Sequence, residues 1–374
     1  MEFTDVFYNL ENEKQFLAEI DELLTIPYEK NELEIGVSKF LSFINKYGEP
    51  YLITEFQLQR CMEKFLNSPL YQLDENAVLS IFYDCFFFLK EQQTLKFIII
   101  VFQSEIQENE YCLRLLASTG FIPVLIKAMK QFKDRSENVA FTSFRYALFL
   151  VYYICRSRRL SPTDLVAIDE YFLVNLFKTS EEAWNDEDMD SFGMCVLTLL
   201  SINEQFMLVR LASKGSFEIA NGIMDLLSSS KVDNGIYSEG LVFTLNREKD
   251  PRSRMLILKQ LFLLFTTPAT YEIFYTNDLN VLIDIFIREI NNIPDELSDL
   301  RYAYLQVLIP LLENTQVRHP PHYKTKCIVD AVNNVLISHS KSSNMEDART
   351  TDVAIRVLEV PWLQQEMKSL GTAQ

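Results

Sequence analysis

The chain has 374 residues, enough for a large core or for two or three domains. With 48% hydrophobic and 23% charged residues but only 9 Gly and 12 Pro, it is turn-poor and apolar-rich, as a mostly helical protein is. The formal net charge of -17 excludes a surface that holds nucleic acid or anionic lipid along its whole length, because both need a cationic field.

The N-terminal stretch MEFTDVFYNLENEK is acidic, and no basic region followed by an apolar one marks a secretory signal. Apolar runs such as LKFIIIVF and FRYALFLVYYIC fall short of the ~20 residues that span a bilayer. Cys61, Cys85, Cys112, Cys155, Cys195 and Cys327 stand singly, with no CxxC pair, and read as small buried hydrophobes in a reducing compartment. The expectation is a cytosolic or nuclear chain with no membrane insertion and no nucleic-acid partner.

Taken in order, FLAEIDELL, VSKFLSFINKY, FQLQRCMEKFL, VLSIFYDCFFFLK, TLKFIIIVFQSEI, YCLRLLAS, FIPVLIKAMKQF and the run 139–155 all carry the helical period, and no alternating strand with a hairpin turn interrupts them. The aromatic stripes among them read as core. Polar clusters at 181–190, 228–235 and 338–348 read as loops. Two basic clusters, CRSRR and NREKDPRSR, fit either a docking patch or charge at helix ends, and the second reading is preferred.

In TNDLNVLIDIFIREI the residues Leu279, Leu282, Ile283, Phe286 and Ile290 fall on one helical face, with Asn277 and Asp278 as caps and Pro294 as the stop. DELSDLRYAYLQVLIPLLEN follows, opened by Asp295 and stacking Leu297, Leu300, Tyr304, Val307, Leu308 and Leu311. So short a link makes the two helices a hairpin.

LRLLASTGFIPVLIKAM, LVRLASKGSFEIANGIMDLL and IFYTNDLNVLIDIFIREI share one layout: an apolar helix end, a break at Gly120, Gly215 or Asp278, then an amphipathic helix. The first is nearest to an armadillo repeat, although the breaks lie 95 and 63 residues apart, so the array is degenerate. The predicted fold is all-α, an armadillo-like helical-repeat solenoid forming a single elongated domain over 1–374.

Chemistry is sparse. His319 and His322 flank Pro320 and Pro321 in ENTQVRHPPHYKTK (313–326), but no Cys or carboxylate supplies a third and fourth metal ligand at a matching spacing. Nucleophile motifs and phosphate-cradling glycine loops are missing too, so the sequence predicts no catalytic, metal or cofactor site. The prolines fix φ and stiffen a connector that carries Arg318, His319, His322, Tyr323, Lys324 and Lys326. Such a connector has little entropy to lose on binding a protein, although composition alone favours a solvated inter-helix turn whose His and Tyr close the helix ends.

The block 271–336 resembles the signature of the WISH/DIP family of Arp2/3-complex activators, through FYTNDLNVLIDI, REINNIPDE, LRYAYLQVLIPLL and NTQVRHPPHYK in that order. Taken whole, the chain is similar to the compact fungal Dip-type member, with an armadillo-like domain and no SH3 domain. The resemblance implies an actin-nucleation promoting factor that binds the Arp2/3 complex and starts linear seed filaments without a preformed mother filament. It also implies action in endocytosis at cytoplasmic, cortical actin patches, with actin reached only through the nucleated filament. Residue by residue, Arg288, Arg301, Arg318, His319, His322, Tyr323 and Lys324 match the block and are the expected partner-binding set.

EEAWNDEDMD, with Trp184 among acids, superficially resembles the acidic tail of other nucleation promoters. It is internal and has no basic actin-monomer segment before it, so it reads as a solvated loop. Two other functions compete: an armadillo-type adaptor that holds an extended peptide without nucleation, and a helical-repeat exchange factor for a small GTPase.

Overall fold

A computed structural model describes residues 10–88, 91–131, 138–213, 219–229, 231–339 and 345–371. Among them every regular element is helical, so the all-α class holds. The expected break at Gly215 lies outside the described residues, as does part of the loop 338–348. The helices gather into two compact units, Met1–Ile168 and Asp169–Gln374.

The first unit contains α1 (Glu13–Thr25), α2 (Leu33–Tyr47), α3 (Glu55–Leu66), α4 (Pro69–Gln72), α5 (Glu75–Phe88), α6 (Gln92–Glu105), α7 (Glu110–Leu116), α8 (Phe121–Met129), α9 (Asn138–Ser157) and α10 (Pro162–Ala167). In α6 nine successive residues, from Thr94 to Phe102, are buried, so this helix is wrapped on all sides. Phe97 meets Phe40 and Phe65 with ring centroids 5.2 and 5.6 Å apart, within the range of favourable aromatic pairs. Burial also explains the thiols here: it pushes Cys61 and Cys112 up to about 12. Cys327 departs from the expected pattern, being exposed, and Cys85 is half-buried.

The predicted break at Gly120 is real. Its φ of 97° lies in the left-handed region that a side chain disfavours, and α7 and α8 meet there at 82°. The Gly120 N–H points at the carboxylate of Asp164, 3.3 Å away. Asp164 is fully buried. It also accepts from Arg158 Nη1 at 2.9 Å and from the Ser161 N–H and Oγ at 3.0 and 2.8 Å, while Arg158 Nη2 donates to the Ser118 carbonyl at 3.1 Å. Arg158 of the CRSRR cluster thus ties two turns together through one carboxylate.

The second unit contains α11 (Glu170–Asn185), α12 (Met189–Ser213), α13 (Gly222–Ser228), α14 (Asn234–Arg247), α15 (Pro251–Thr266), α16 (Thr276–Asn292), α17 (Ser298–Asn314), α18 (Thr325–His339), α19 (Met345–Leu358) and α20 (Pro361–Gly371). Its longer helices fall into two rows. One runs α12, α15, α17, α19 and the other α11, α14, α16, α18, α20, each helix touching the next of its own row. α17 packs against both α15 and α19, so Leu300, Tyr304, Leu305, Leu308, Leu311 and Leu312 are all buried.

α12 is longer than the apolar runs noted in the sequence, and by length and composition it could cross a membrane. Two-thirds of its apolar window is nevertheless buried within the protein. Buried Asn203 on this helix accepts from Asn221 Nδ2 at 2.6 Å, a polar tie that suits a core helix.

Trp184 is not on a solvated loop. α11 extends to Asn185, and the half-buried indole packs on Phe192 at 4.8 Å and edge-on to Phe243 at 5.5 Å. Gly240 is required beside it, because a Cβ there would lie 2.2 Å from the Phe192 ring.

Burial opposes ionisation of Asp164, but the hydrogen bonds from Ser161 and Arg158 outweigh it and hold the carboxyl below its ordinary value. A depressed folded pKa contributes stability above the unfolded value of about 4, and that contribution is lost as pH falls through the folded value. Asp164→Ala, which strands Arg158, is expected to cost about 3–5 kcal/mol in chemical denaturation at pH 7. The deficit against wild type should shrink as the pH is lowered below about 4.

Candidate partner-binding face

The residues singled out in the sequence lie on α16, α17 and the connector between α17 and α18. α16 begins at Thr276 with Tyr275 as its cap, so Asn277 and Asp278 lie inside the first turn rather than before it. Asp278 still serves the helix start, because its carboxyl accepts from the Tyr275 backbone N–H, as a third-position acid does in a capping box. Its predicted apolar face is buried: Leu279, Leu282, Ile283, Phe286 and Ile290.

On the opposite side Val281, Asp284 and Arg288 follow one another at helical spacing. Val281 and Arg288 are exposed and Asp284 is half-buried. Glu289 points inward, where Arg254 of α15 pairs with it. Arg254 also donates to the Tyr304 hydroxyl of α17, from Nε at 3.1 Å and Nη2 at 2.7 Å, so three helices meet at one polar knot.

Between α16 and α17 the chain forms a short 3-10 turn, Asp295–Leu297, instead of a helix capped by Asp295. Arg301 reaches back from α17 to this turn, donating to the Ile293 carbonyl and, at 3.1 Å, to Asp295 Oδ1. Arg301 is only 7% exposed. The structure therefore moves it from the expected docking cations to the frame, because its guanidinium is consumed in closing the hairpin.

The connector after α17 is held from both ends. Thr315 Oγ1 donates to the Leu311 carbonyl at 2.6 Å, and Thr276 Oγ1 to Gln316 Oε1 at 2.6 Å. His322 stacks on Trp362 of α20, with ring centroids 4.2 Å apart and planes 14° apart. Its Nδ1 lies 3.3 Å from the Val317 carbonyl. Trp362 in turn donates from Nε1 to the Leu312 carbonyl at 2.9 Å.

On the α16 side, Tyr323 donates to Asp284 Oδ2 at 3.1 Å and Lys324 Nζ stands 2.7 Å from Asp284 Oδ1. Lys324 adopts φ of 48°, a costly turn for a side chain, and here it aims the ammonium at Asp284. The hydrogen bond to Asp284 raises the Lys324 pKa, so the pair forms at neutral pH and dissolves only as pH climbs through that raised value.

Arg318 and His319 are exposed, with Arg318 Nε donating to His319 Nε2 at 3.1 Å. Arg318 also stands at the rim of a cleft of about 460 Å³ lined by Asn234, Gly235, Tyr271, Tyr275 and Asn314. Among the described residues no group of three or more His, Cys, Asp or Glu is placed to hold a metal ion.

The structure thus gathers His322, Tyr323 and Lys324 into one braced connector and leaves Arg318 and His319 on its outer side. Arg288 faces outward on α16, where it donates to Asn246 Oδ1 at 3.0 Å. Asp284, Trp362 and Tyr275 escaped the sequence reading. Only Asp284 left a signal, its place on the outer stripe of α16.

Residues 189–328 match the family model described as SPIN90/Ldb17, leucine-rich domain. Among similar proteins, Protein LDB17 of Saccharomyces cerevisiae is 29% identical over 227 residues, which cover 58% of this chain and 44% of that protein. Protein LDB17 of Eremothecium gossypii is 23% identical over 342 residues, 83% of this chain and 72% of the relative. The chain therefore spans less than half the length of the first of these relatives.

The two kinds of cation separate in a stability measurement. Arg301→Ala should lower the unfolding free energy by about 2 kcal/mol, the scale of charged hydrogen bonds lost from a buried carbonyl and its partner. Lys324→Ala should leave the thermal midpoint close to wild type, because the exposed pair is screened by solvent. Trp362→Ala should speed amide hydrogen exchange across 315–324, while Trp362→Phe, which keeps the ring under His322, should speed it less.

Proposed function

On the premise that 189–328 makes this chain a member of the SPIN90/Ldb17 leucine-rich-domain family, we propose that it is an actin-nucleation promoting factor. In this reading it binds and activates the Arp2/3 complex without a preformed mother filament and generates linear seed filaments at cortical, cytoplasmic actin patches during endocytosis. The chain acts by binding and not by chemistry of its own.

The observation that carries the reading is the connector together with the start of α18, residues 315–326. It presents Arg318, His319 and Lys326 on its outer side while His322, Tyr323 and Lys324 brace it against α20 and α16. A braced surface has little conformational entropy to lose on docking. It also suits an activator, which must bind the active arrangement of its partner more tightly than the inactive one, since only differential affinity shifts an equilibrium.

The test mixes purified protein, Arp2/3 complex and actin monomers with no preformed filaments, and images single filaments. New linear filaments that depend on the complex support the proposal, whereas no acceleration leaves the peptide-holding adaptor as the better reading. Arg318→Glu combined with Lys326→Glu should cut nucleation at least tenfold if these cations sit at the centre of the contact, and only slightly if they lie at its rim. Unchanged affinity for the complex in that variant removes this face from the interface.

A further inference from the structure

We propose that a second surface of the same unit, formed by the end of α14, the α14–α15 turn and the outer side of α16, docks a carboxylate-rich protein segment. It lies outside the connector face and does not depend on the identity of the partner proposed above.

The sequence 246–252 reads as a mixture of charges, but the fold sorts them. Glu248 is turned onto the backbone, where its Oε1 accepts from the N–H groups of Lys249 and Asp250 at 2.7 and 2.8 Å. Asp250 is used as the cap of α15, accepting from Ser253 N–H and Oγ at 3.1 and 2.8 Å. Glu289 is 15% exposed and shared by two guanidiniums, Arg254 and Arg288. With these carboxylates engaged internally, Arg247 and Lys249 remain exposed, and Arg288 is drawn to the same edge by its bond to Asn246.

Charge complementing a helix end accounts for Arg247 in the last turn of α14. Arg288 lies before the last turn of α16, with its Nε and Nη2 paired to Glu289 and its Nη1 to Asn246, so it braces this edge and leaves Arg247 and Lys249 as its exposed docking cations.

Arg247 is also preset. Its guanidinium lies 4.3 Å over the Phe243 ring, and that ring packs edge-on to Trp184. Planar guanidiniums held this way match carboxylates in geometry as well as charge. A net charge of -17 repels an extended polyanion such as a membrane surface or a nucleic acid, whereas a short acidic segment meets only the local cations.

The experiment is fluorescence anisotropy of the full chain with a short fluorescein-labelled peptide of alternating Glu and Ser. Cosedimentation with phosphatidylserine vesicles and sedimentation of the protein alone accompany it. The expected result is peptide binding that weakens with salt and falls at least tenfold in Arg247→Glu/Lys249→Glu. Arg247→Gln, which keeps the side-chain stem, should lose less, and Lys14→Ala, at an exposed site in the first unit, should lose nothing. Both substituted side chains are exposed, so the thermal midpoint should hold.

Equal peptide affinity in the double variant overturns the proposal. So does preferential binding to the vesicles, or self-association that the double variant abolishes. None of these outcomes bears on filament nucleation through the connector, so the two readings fail separately.

Discussion

The setting of α16 rests on the contact of Arg254, Glu289 and Tyr304. Each belongs to a different helix, α15, α16 and α17, and all three are nearly out of solvent. Burial pushes the Tyr304 hydroxyl up to about 12, opposed by its bonds from Arg254, so at neutral pH it is a neutral acceptor for that guanidinium. An ion pair in such a place gains little net stability over a well-packed apolar substitute, because desolvation offsets the attraction. What it contributes is angle. With Glu289 drawn inward, α16 has one permitted rotation about its axis, and Arg288 and Asp284 are turned toward the outside.

From that rotation both cationic surfaces follow. Asp284 receives Tyr323 and Lys324 and so fixes one side of the connector, while Trp362 stacked under His322 fixes the other. One turn along, Arg288 reaches Asn246 and joins the edge built by α14. The Leu and Ile face of α16 sets which side is buried, and a polar contact with strict geometry adds a further constraint on its rotation.

The apolar side of this arrangement was legible in the sequence. Leu279, Leu282, Ile283, Phe286 and Ile290 were placed on one face by their spacing, and Leu297, Leu300, Tyr304, Val307, Leu308 and Leu311 by theirs; all are buried except Leu297, which falls in the 3-10 turn and is half-buried. Periodicity works there because burial of a stripe is a property of the helix itself. It works poorly for the polar side chains. Arg301 looked like a surface cation and is spent on the Ile293 carbonyl, a partner eight residues away that appears only once the turn between the helices is folded. Trp184 sat in an acidic run and packs on Phe243, nearly sixty residues on. Asp284 and Lys324 are 40 residues apart, a pairing that no local pattern encodes.

The same distinction separates cations that brace from cations that bind. A side chain whose hydrogen bonds are closed within the fold offers a partner only its residual field, and breaking its internal contacts on docking would return much of the energy gained. Arg301 is of this kind and Tyr323 partly so, whereas the solvent-exposed pair of Lys324 with Asp284 costs little to break. Among the described residues Arg318, Lys326, Arg247 and Lys249 carry no comparably closed carboxylate pair, and Arg247 is held near its position by the Phe243 ring. In a chain so strongly acidic overall, a few cations kept outward by internal engagement of their neighbouring acids are the residues on which electrostatic selection of a partner can act. The arrangement keeps long-range repulsion against most polyanions while leaving attraction at two short, defined places.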